Sequence, residues 1–459
     1  AEVITEKQQT LRMPNLFADD MILQRDKSIR VWGWGGTDNV TVSLTKDGES
    51  APASTADAAV TDGGWLAELP ALPGGTDAYT LTVASGDQTL SYTGILIGDV
   101  YLASGQSNMA MFVKDTSTRD ADVEEADFEN IRFFTQGFAG ACEEKDDIPT
   151  GKWEKAVGDT IDDFYAVAYK FAKEVYEKTE GSIPIGILSA ATPGTWIECW
   201  MDEDLLNSII LDNPGLTYLN DFKTKSKAEL TRTEDYERRA VAPYNSMLHP
   251  LLNANIAGIL WYQGENNSGM VDSYRAAFPR FIEDLREKFR DGASIPFLTV
   301  QLPAYGAGPS GWSDFRLMQD EVMKATENGY LAVTIDCAED PLNIHPTDKT
   351  VVGQRLAAIA LNKIYGQDVV YSGPEFAGAE LLGDKLVLSF TGETEGLTAK
   401  GDGTTVYGFE ISEDGVNYVP ADGVLTEGKV ELTADGIAFP QFVKYACQPY
   451  PSPMANLYN

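Results

Sequence analysis

The sequence predicts an α/β protein: a three-layer α/β/α domain on a parallel sheet, flanked at each end by an all-β, sandwich-like unit. Three observations carry this. Between about residues 95 and 370, near-continuous apolar runs alternate with stretches of helical periodicity. Residues 12–94 and 372–448 instead show short β-rich runs parted by Gly, Asp and Pro. The 459 residues suffice for several cores, since one domain takes roughly 100–200.

Each element follows from its residues. At the N-terminal end, 29–34, 40–44 and 79–83 are rich in β-branched and aromatic residues, with turn residues between them at sandwich-like spacing. Residues 1–94 are therefore read as one β-sandwich-like unit. In the middle, the runs 95–103, 185–190, 256–262, 297–302 and 330–335 are apolar throughout, as strands covered on both faces must be. Phe164, Val167, Ala168, Phe171 and Val175 share one helical face, as do Val352, Leu356, Ile359 and the aliphatic stem of Lys363. Strands alternating with helices imply right-handed crossovers and a doubly wound sheet over 95–370. Residues 371–459 return to the β-rich texture, in 385–390, 406–411 and 430–432.

Composition excludes several function classes. Hydrophobic residues at 43% and charged residues at 23% argue against disorder. A net charge of −35 makes nucleic acid and anionic membrane surfaces poor partners. No apolar run approaches the ~18–20 residues that span a bilayer. Cys142, Cys199, Cys337 and Cys447 are far apart and form no Cys-x-x-Cys pair, so free thiols are expected over a disulfide scaffold. The acidic clusters lack metal-ligand spacing, and no metal or cofactor is expected; Glu143–Asp147 reads as a solvated loop. The chain starts at Ala1, compatible with a removed signal peptide or a removed initiator, which leaves compartment open, as it does oligomeric state.

In doubly wound sheets, ligands bind beyond the carboxyl ends of the strands. After the first central run comes Gly105-Gln-Ser-Asn-Met109, which presents Ser107 at the sheet edge. After the second comes Thr192-Pro-Gly-Thr-Trp196, whose glycine lets backbone approach a ligand closely. After the third comes Gln263-Gly-Glu-Asn-Asn267, and after the fifth Asp340-Pro-Leu-Asn-Ile-His-Pro346. A serine, a histidine, an amide and glycines on one rim are the parts of acyl transfer. The second glycine of Gly-x-Ser-x-Gly is missing, which argues against an α/β-hydrolase nucleophile elbow. The sequence holds only two histidines. His249 leads into its strand rather than out of it and reads as structural, so an imidazole base would be His345.

The run Gly98-Asp-Val-Tyr-Leu-Ala-Ser-Gly-Gln-Ser-Asn-Met109, Trp261-Tyr-Gln-Gly-Glu-Asn266, and Ile344-His-Pro346 followed by Val352-Gly-x-Arg-Leu-Ala357 resemble the sialate O-acetylesterases of the SGNH hydrolase clan. So do Leu16-Phe-Ala-Asp-Asp-Met-Ile-Leu-Gln-Arg25, Val31-Trp-Gly-Trp34, Tyr244-Asn-x-Met-x-His-Pro-Leu251 and Ala455-Asn-Leu-Tyr-Asn459. The resemblance covers most of the chain. It implies an SGNH-type, flavodoxin-like middle domain and a serine esterase acting on an O-acetylated carbohydrate. By the same resemblance Ser107 is the nucleophile and His345 the general base. The main-chain amides of Ser107 and Gly194, with the Gln263 side chain, form the oxyanion hole.

One departure stands out. The clan carries Asp-x-x-His, and here the acidic position is Leu342. Asp340 is the choice for orienting the imidazole, over Asp348 and over a Ser–His dyad braced by a backbone carbonyl. Gln106, Asn108, Glu265, Trp196 and Arg316 are expected at the substrate, with Arg316 meeting a sialic acid carboxylate; Trp196 and Trp200 could instead pack beneath the site. Without such a cation, acetylated xylan or mannan fits better. Two other classes remain at this level: a non-catalytic carbohydrate-binding protein with a degenerate hydrolase domain, and a general short-chain, lipase-like acyl hydrolase.

Overall fold

The computed structural model describes residues 10–214, 239–290, 294–392 and 394–459. Its first strands are β1 (Ile22–Gln24), β2 (Ile29–Trp34), β3 (Asn39–Lys46), β4 (Ser54–Ala59), β5 (Gly64–Leu69), β6 (Gly75–Ser85) and β7 (Gln88–Gly105). β3 pairs antiparallel with β4 and β6, and β2 with β5. Val40, Val42 and Leu44 alternate inward from β3 to meet Leu81 and Val83 of β6 and Ala67 and Leu69 of β5, all buried. That period of two is what a half-buried strand requires.

β7 is the long one. Its first half pairs antiparallel with β6, and Leu96–Gly98 pairs with β1. Its second half is the centre of the main sheet, whose further strands are β8 (Asp127–Gln136), β9 (Gly151–Val157), β10 (Ile185–Ala191), β11 (Gly258–Tyr262), β12 (Phe297–Val300) and β13 (Gly329–Ala332). The order is β13-β12-β11-β7-β10-β8-β9. All neighbours in it are parallel except β9, which runs antiparallel to β8. β7 continues unbroken through residues 94–95, where the composition changes.

Alternation along these strands separates two apolar layers. Val100, Leu102, Leu188, Ile259, Trp261 and Phe297 face the helices Glu203–Asp212, Val271–Lys288 and Trp312–Ala325. Tyr101, Ala103, Ile187, Leu260, Tyr262 and Val300 face Ala166–Lys178 and Thr350–Lys363. Helices on both faces explain why the central runs carry no polar alternation. β8 and β9 escaped the sequence reading because they lie at the sheet margin, where half-exposed polar positions dilute the apolar run.

The C-terminal strands form antiparallel sheets, the larger ordered Glu375–Leu382, Lys385–Thr391, Lys429–Thr433, Asp422–Thr426, Thr405–Val406. A small core of Leu386, Leu388, Val406, Ile411, Val430 and Leu432 holds them. The run expected over 406–411 is split, because Gly408 turns the chain at φ +94°. Likewise the run expected over 330–335 stops at Ala332 and gives way to a 3-10 turn at Ile335–Cys337. The chain's last residues return to the middle domain: Tyr458 donates its hydroxyl to Asp336 Oδ2 at 2.8 Å, and Asp336 is paired with Arg355.

Candidate functional site

The flanking of β7 by β10 and β11 brings three chain reversals together at one edge of the sheet. β7 ends at Gly105, whose φ is +139°. A Cβ there would stand 2.1 Å from Tyr262 O, so the tight exit demands glycine. Gln106 N then donates to Tyr262 O at 3.0 Å, and the short helix Ser107–Ala110 begins. The β10 exit is pinned to the same edge through Thr192 N, which donates to Gly105 O at 3.1 Å. The β11 exit is tied to the β10 exit by Asn266 Nδ2, which donates to Gly194 O at 2.6 Å.

Against these reversals lies the loop between β13 and the helix Thr350–Lys363. His345 Nε2 sits 2.8 Å from Ser107 Oγ. Ser107, Gly194 and His345 are each partly exposed, so solvent and substrate can reach them. The imidazole is held below its ordinary pKa by burial and, second, by the nearby Lys349 ammonium. It is therefore neutral near pH 7 and able to accept a proton from the serine hydroxyl. The other histidine is engaged elsewhere: His249 Nδ1 lies 2.9 Å from Lys145 O and Nε2 is 3.4 Å from Glu144.

The expected third member is not assembled. Asp340 is exposed, and its Oδ1 accepts from Leu342 N at 2.8 Å. Asp348 is likewise turned onto its own segment, accepting from Thr350 N at 2.8 Å. Among the described residues no hydrogen bond joins either carboxylate to His345. Side-chain amides hold the loop instead. Asn343 Oδ1 accepts from His345 N at 2.9 Å, and Asn108 Nδ2 donates to Ile344 O at 3.0 Å.

Several residues expected at the substrate lie under the site. Gln106 Oε1 accepts from Gln263 Nε2, Gly264 N and Asn266 N. Gln263 Nε2 faces three acceptors, Gln106 Oε1, Thr195 O and Asn267 Oδ1, leaving that amide no spare N–H for an oxyanion. Asn108 is fully buried and donates to Glu265 Oε1 at 2.6 Å as well as to Ile344 O. These side chains tie the turns at the ends of β7 and β11 to the histidine loop. Trp200 is core, its indole N–H donating to Thr195 Oγ1, while Trp196 is half-buried beside Gly194.

Arg316 is also corrected. It is 3% exposed, and its guanidinium donates to the carbonyls of Ala446, Gln448 and Pro449. Burial pulls its pKa down to about 10. The group expected to meet a carboxylate is thus spent on holding the C-terminal segment.

Sequence reasoning missed Lys349. Its side chain is 0% exposed and donates to Asn108 Oδ1 at 2.6 Å. Burial lowers its pKa to about 8, against the raising effect of Glu265, and burial pushes Glu265 up to about 7. In both groups desolvation outweighs the attraction between them. One signal was available: a lysine immediately before a helix faces the positive end of the helix dipole, an unfavourable position for a cation.

A model of the family "Carbohydrate esterase, sialic acid-specific acetylesterase" matches residues 97–362. The chain is 29% identical to the sialate O-acetylesterase of Mus musculus over 439 residues, covering 85% of this chain and 80% of that one. It is 29% identical to the Homo sapiens sialate O-acetylesterase over 416 residues, covering 83% and 76%. The solved structure of a carbohydrate acetylesterase from Xanthomonas citri superposes with a TM-score of 0.83 at 33% identity, over 98% of this chain and 97% of that one.

The structural assignment of Arg316 has a direct consequence. Arg316→Met should destabilise the protein by about 2–4 kcal/mol, since it strands three carbonyls satisfied by a cation. KM for an acetylated sugar should stay within about twofold, on a scale where tenfold is 1.4 kcal/mol. A denaturation series paired with initial rates checks both; a large rise in KM with unchanged stability would return Arg316 to the substrate.

Proposed function

The chain belongs to the sialic acid-specific acetylesterase family of carbohydrate esterases, and on that footing we propose that it hydrolyses acetyl esters of sugars through a Ser107 nucleophile and an acyl-enzyme. The observation that carries the mechanism is the 2.8 Å approach of His345 Nε2 to Ser107 Oγ. His345 takes the hydroxyl proton as Oγ attacks the acetyl carbon. The main-chain N–H groups of Ser107 and Gly194 meet the oxyanion. Collapse leaves acetyl-Ser107, and the imidazolium returns its proton to the departing sugar oxygen. Water, deprotonated by His345, then attacks the acetyl carbon; the C–Oγ bond breaks, the imidazolium returns its proton to Ser107 Oγ, and acetate leaves.

We read the pair as a dyad on the SGNH plan. Hydrogen bonds at Ile344 O and His345 N fix the main chain of the histidine loop, and this support in place of a carboxylate favours the dyad over a triad. The sugar admits two readings. O-acetylated sialic acid follows the family. Neutral acetylated sugars such as xylan or mannan are favoured by the sequestration of Arg316, the expected partner of a sialic acid carboxylate.

Three measurements test the proposal. Ser107→Ala should lower acetate release by about 10³-fold or more on O-acetylated sialic acid, acetylated xylan and acetylated mannan alike. Wild-type rates across the three identify the sugar, and retained activity in the variant would remove the nucleophile assignment. Asp340→Ala should keep turnover within about tenfold of wild type; a fall near the ~10⁴ seen when a triad acid is replaced would restore a triad. The profile of kcat/KM reports the free enzyme's base. Activity requires the neutral imidazole and its pKa is lowered, so the acid limb of kcat/KM should be centred below pH 6.5. A limb centred above pH 6.5 would contradict the assignment of His345.

A further inference from the structure

The buried ammonium of Lys349 has no part in the acyl-transfer steps above, yet its position is costly. It is fully enclosed and sits at the start of the helix Thr350–Lys363, where the dipole opposes a cation. Nζ donates to Asn108 Oδ1 at 2.6 Å and lies 5.6 Å from the centre of the Tyr262 ring. The titratable groups facing it come from three directions: Glu265 from the β11 exit, Cys337 and Glu339 from the β13 exit, and Asp348 beside it. The Cys337 thiol is pushed up to about 12 and is uncharged. His345, in the same loop, feels the ammonium from the other side.

Resting on the Ser107–His345 reading, we propose that Lys349 is a positioning residue for the esterase: it fixes Asn108, through which the serine turn, the histidine loop and Glu265 are held in register.

Asn108 follows Ser107 directly, and its amide is used at both ends. The carbonyl oxygen accepts the hydrogen bond from Lys349 Nζ, which orients the amide and aims Nδ2 at Glu265 Oε1 and Ile344 O. Ile344 precedes His345. One side chain therefore spans the two halves of the reacting pair, and the ammonium decides which way that side chain faces. Without it the amide loses its orienting donor. A displacement of 1 Å at reacting atoms can cost about 10² in rate. The charge acts in the same direction, because a nearby cation disfavours protonation of the imidazole. Below about pH 8 the ammonium is charged, so the bias operates where the base titrates.

The two histidines of the chain make the test direct, since His249→Gln identifies the His345 ring signals in an NMR titration. In Lys349→Met the His345 pKa should rise by about half a unit or more. The acid limb of kcat/KM should move up with it, and kcat should fall about tenfold or more with KM little changed. Lys349→Met combined with Glu265→Gln neutralises both buried charges and covers failure of the single variant to fold; the same upward shift is expected. An unchanged His345 titration and acid limb in the folded variant would overturn the proposal, whatever the loss of stability or kcat. Ser107→Ala in the same assay keeps the two readings apart. Activity surviving in Ser107→Ala would fault the nucleophile, whereas the titration of His345 needs no turnover.

Discussion

One strand is hydrogen-bonded into two sheets at once. Along its first half β7 is a partner of β6 and β1; along its second half it is flanked by β10 and β11. A one-residue slip would exchange Val100 and Leu102 with Tyr101 and Ala103 between the two apolar layers, so register is over-determined. The strand ends at the turn that carries Ser107. The height of Ser107 above the sheet is therefore set by pairing that begins in the first half of β7, and neither set of strands can shift along β7 without moving it.

The floor of the site is polar, which is unusual for a buried layer. Gln106, Asn108, Gln263, Glu265, Asn267 and Lys349 lie together beneath partly exposed Ser107 and His345. Buried amides are tolerated when their hydrogen bonds are made, and most are made here. The exceptions are Gln263 Oε1 and Glu265 Oε2, which find no protein partner. A buried charge rarely repays its desolvation, and Lys349 and Glu265 are bridged by Asn108 rather than paired directly. The Lys349–Asn108–Glu265 arrangement is thus poorly explained as stabilisation. It is better explained as alignment, maintained at some expense to the fold.

Much of this was legible from residue order. The central strands were readable because burial on both faces removes polar alternation from the run. The rim loops were readable because doubly wound sheets gather ligands at carboxyl ends. Ser107 and His345 followed from those rules and from the family motifs together. Burial was much less legible. Gln106, Asn108 and Glu265 flank Ser107 and Gln263 in sequence, and nothing in their order shows that they point down rather than out. Arg316 is a fixed charge whose role depends on carbonyls far along the chain. Asp340 lies close to His345 in sequence, yet a carboxylate two residues before a free amide closes a local turn more readily than it reaches an imidazole. Such outcomes depend on tertiary geometry that a linear pattern does not encode.

The Arg316 tether also bears on how the protein must be made. The guanidinium is synthesised 130 to 133 residues before the carbonyls that will receive it. During vectorial synthesis it has no acceptor for its charge, and a half-finished middle domain must keep that helix open to water or leave a cation stranded in its interior. The helix Trp312–Ala325 can bury that charge with these hydrogen bonds made only once the segment 446–449 is in place, so the packing of one depends on the other.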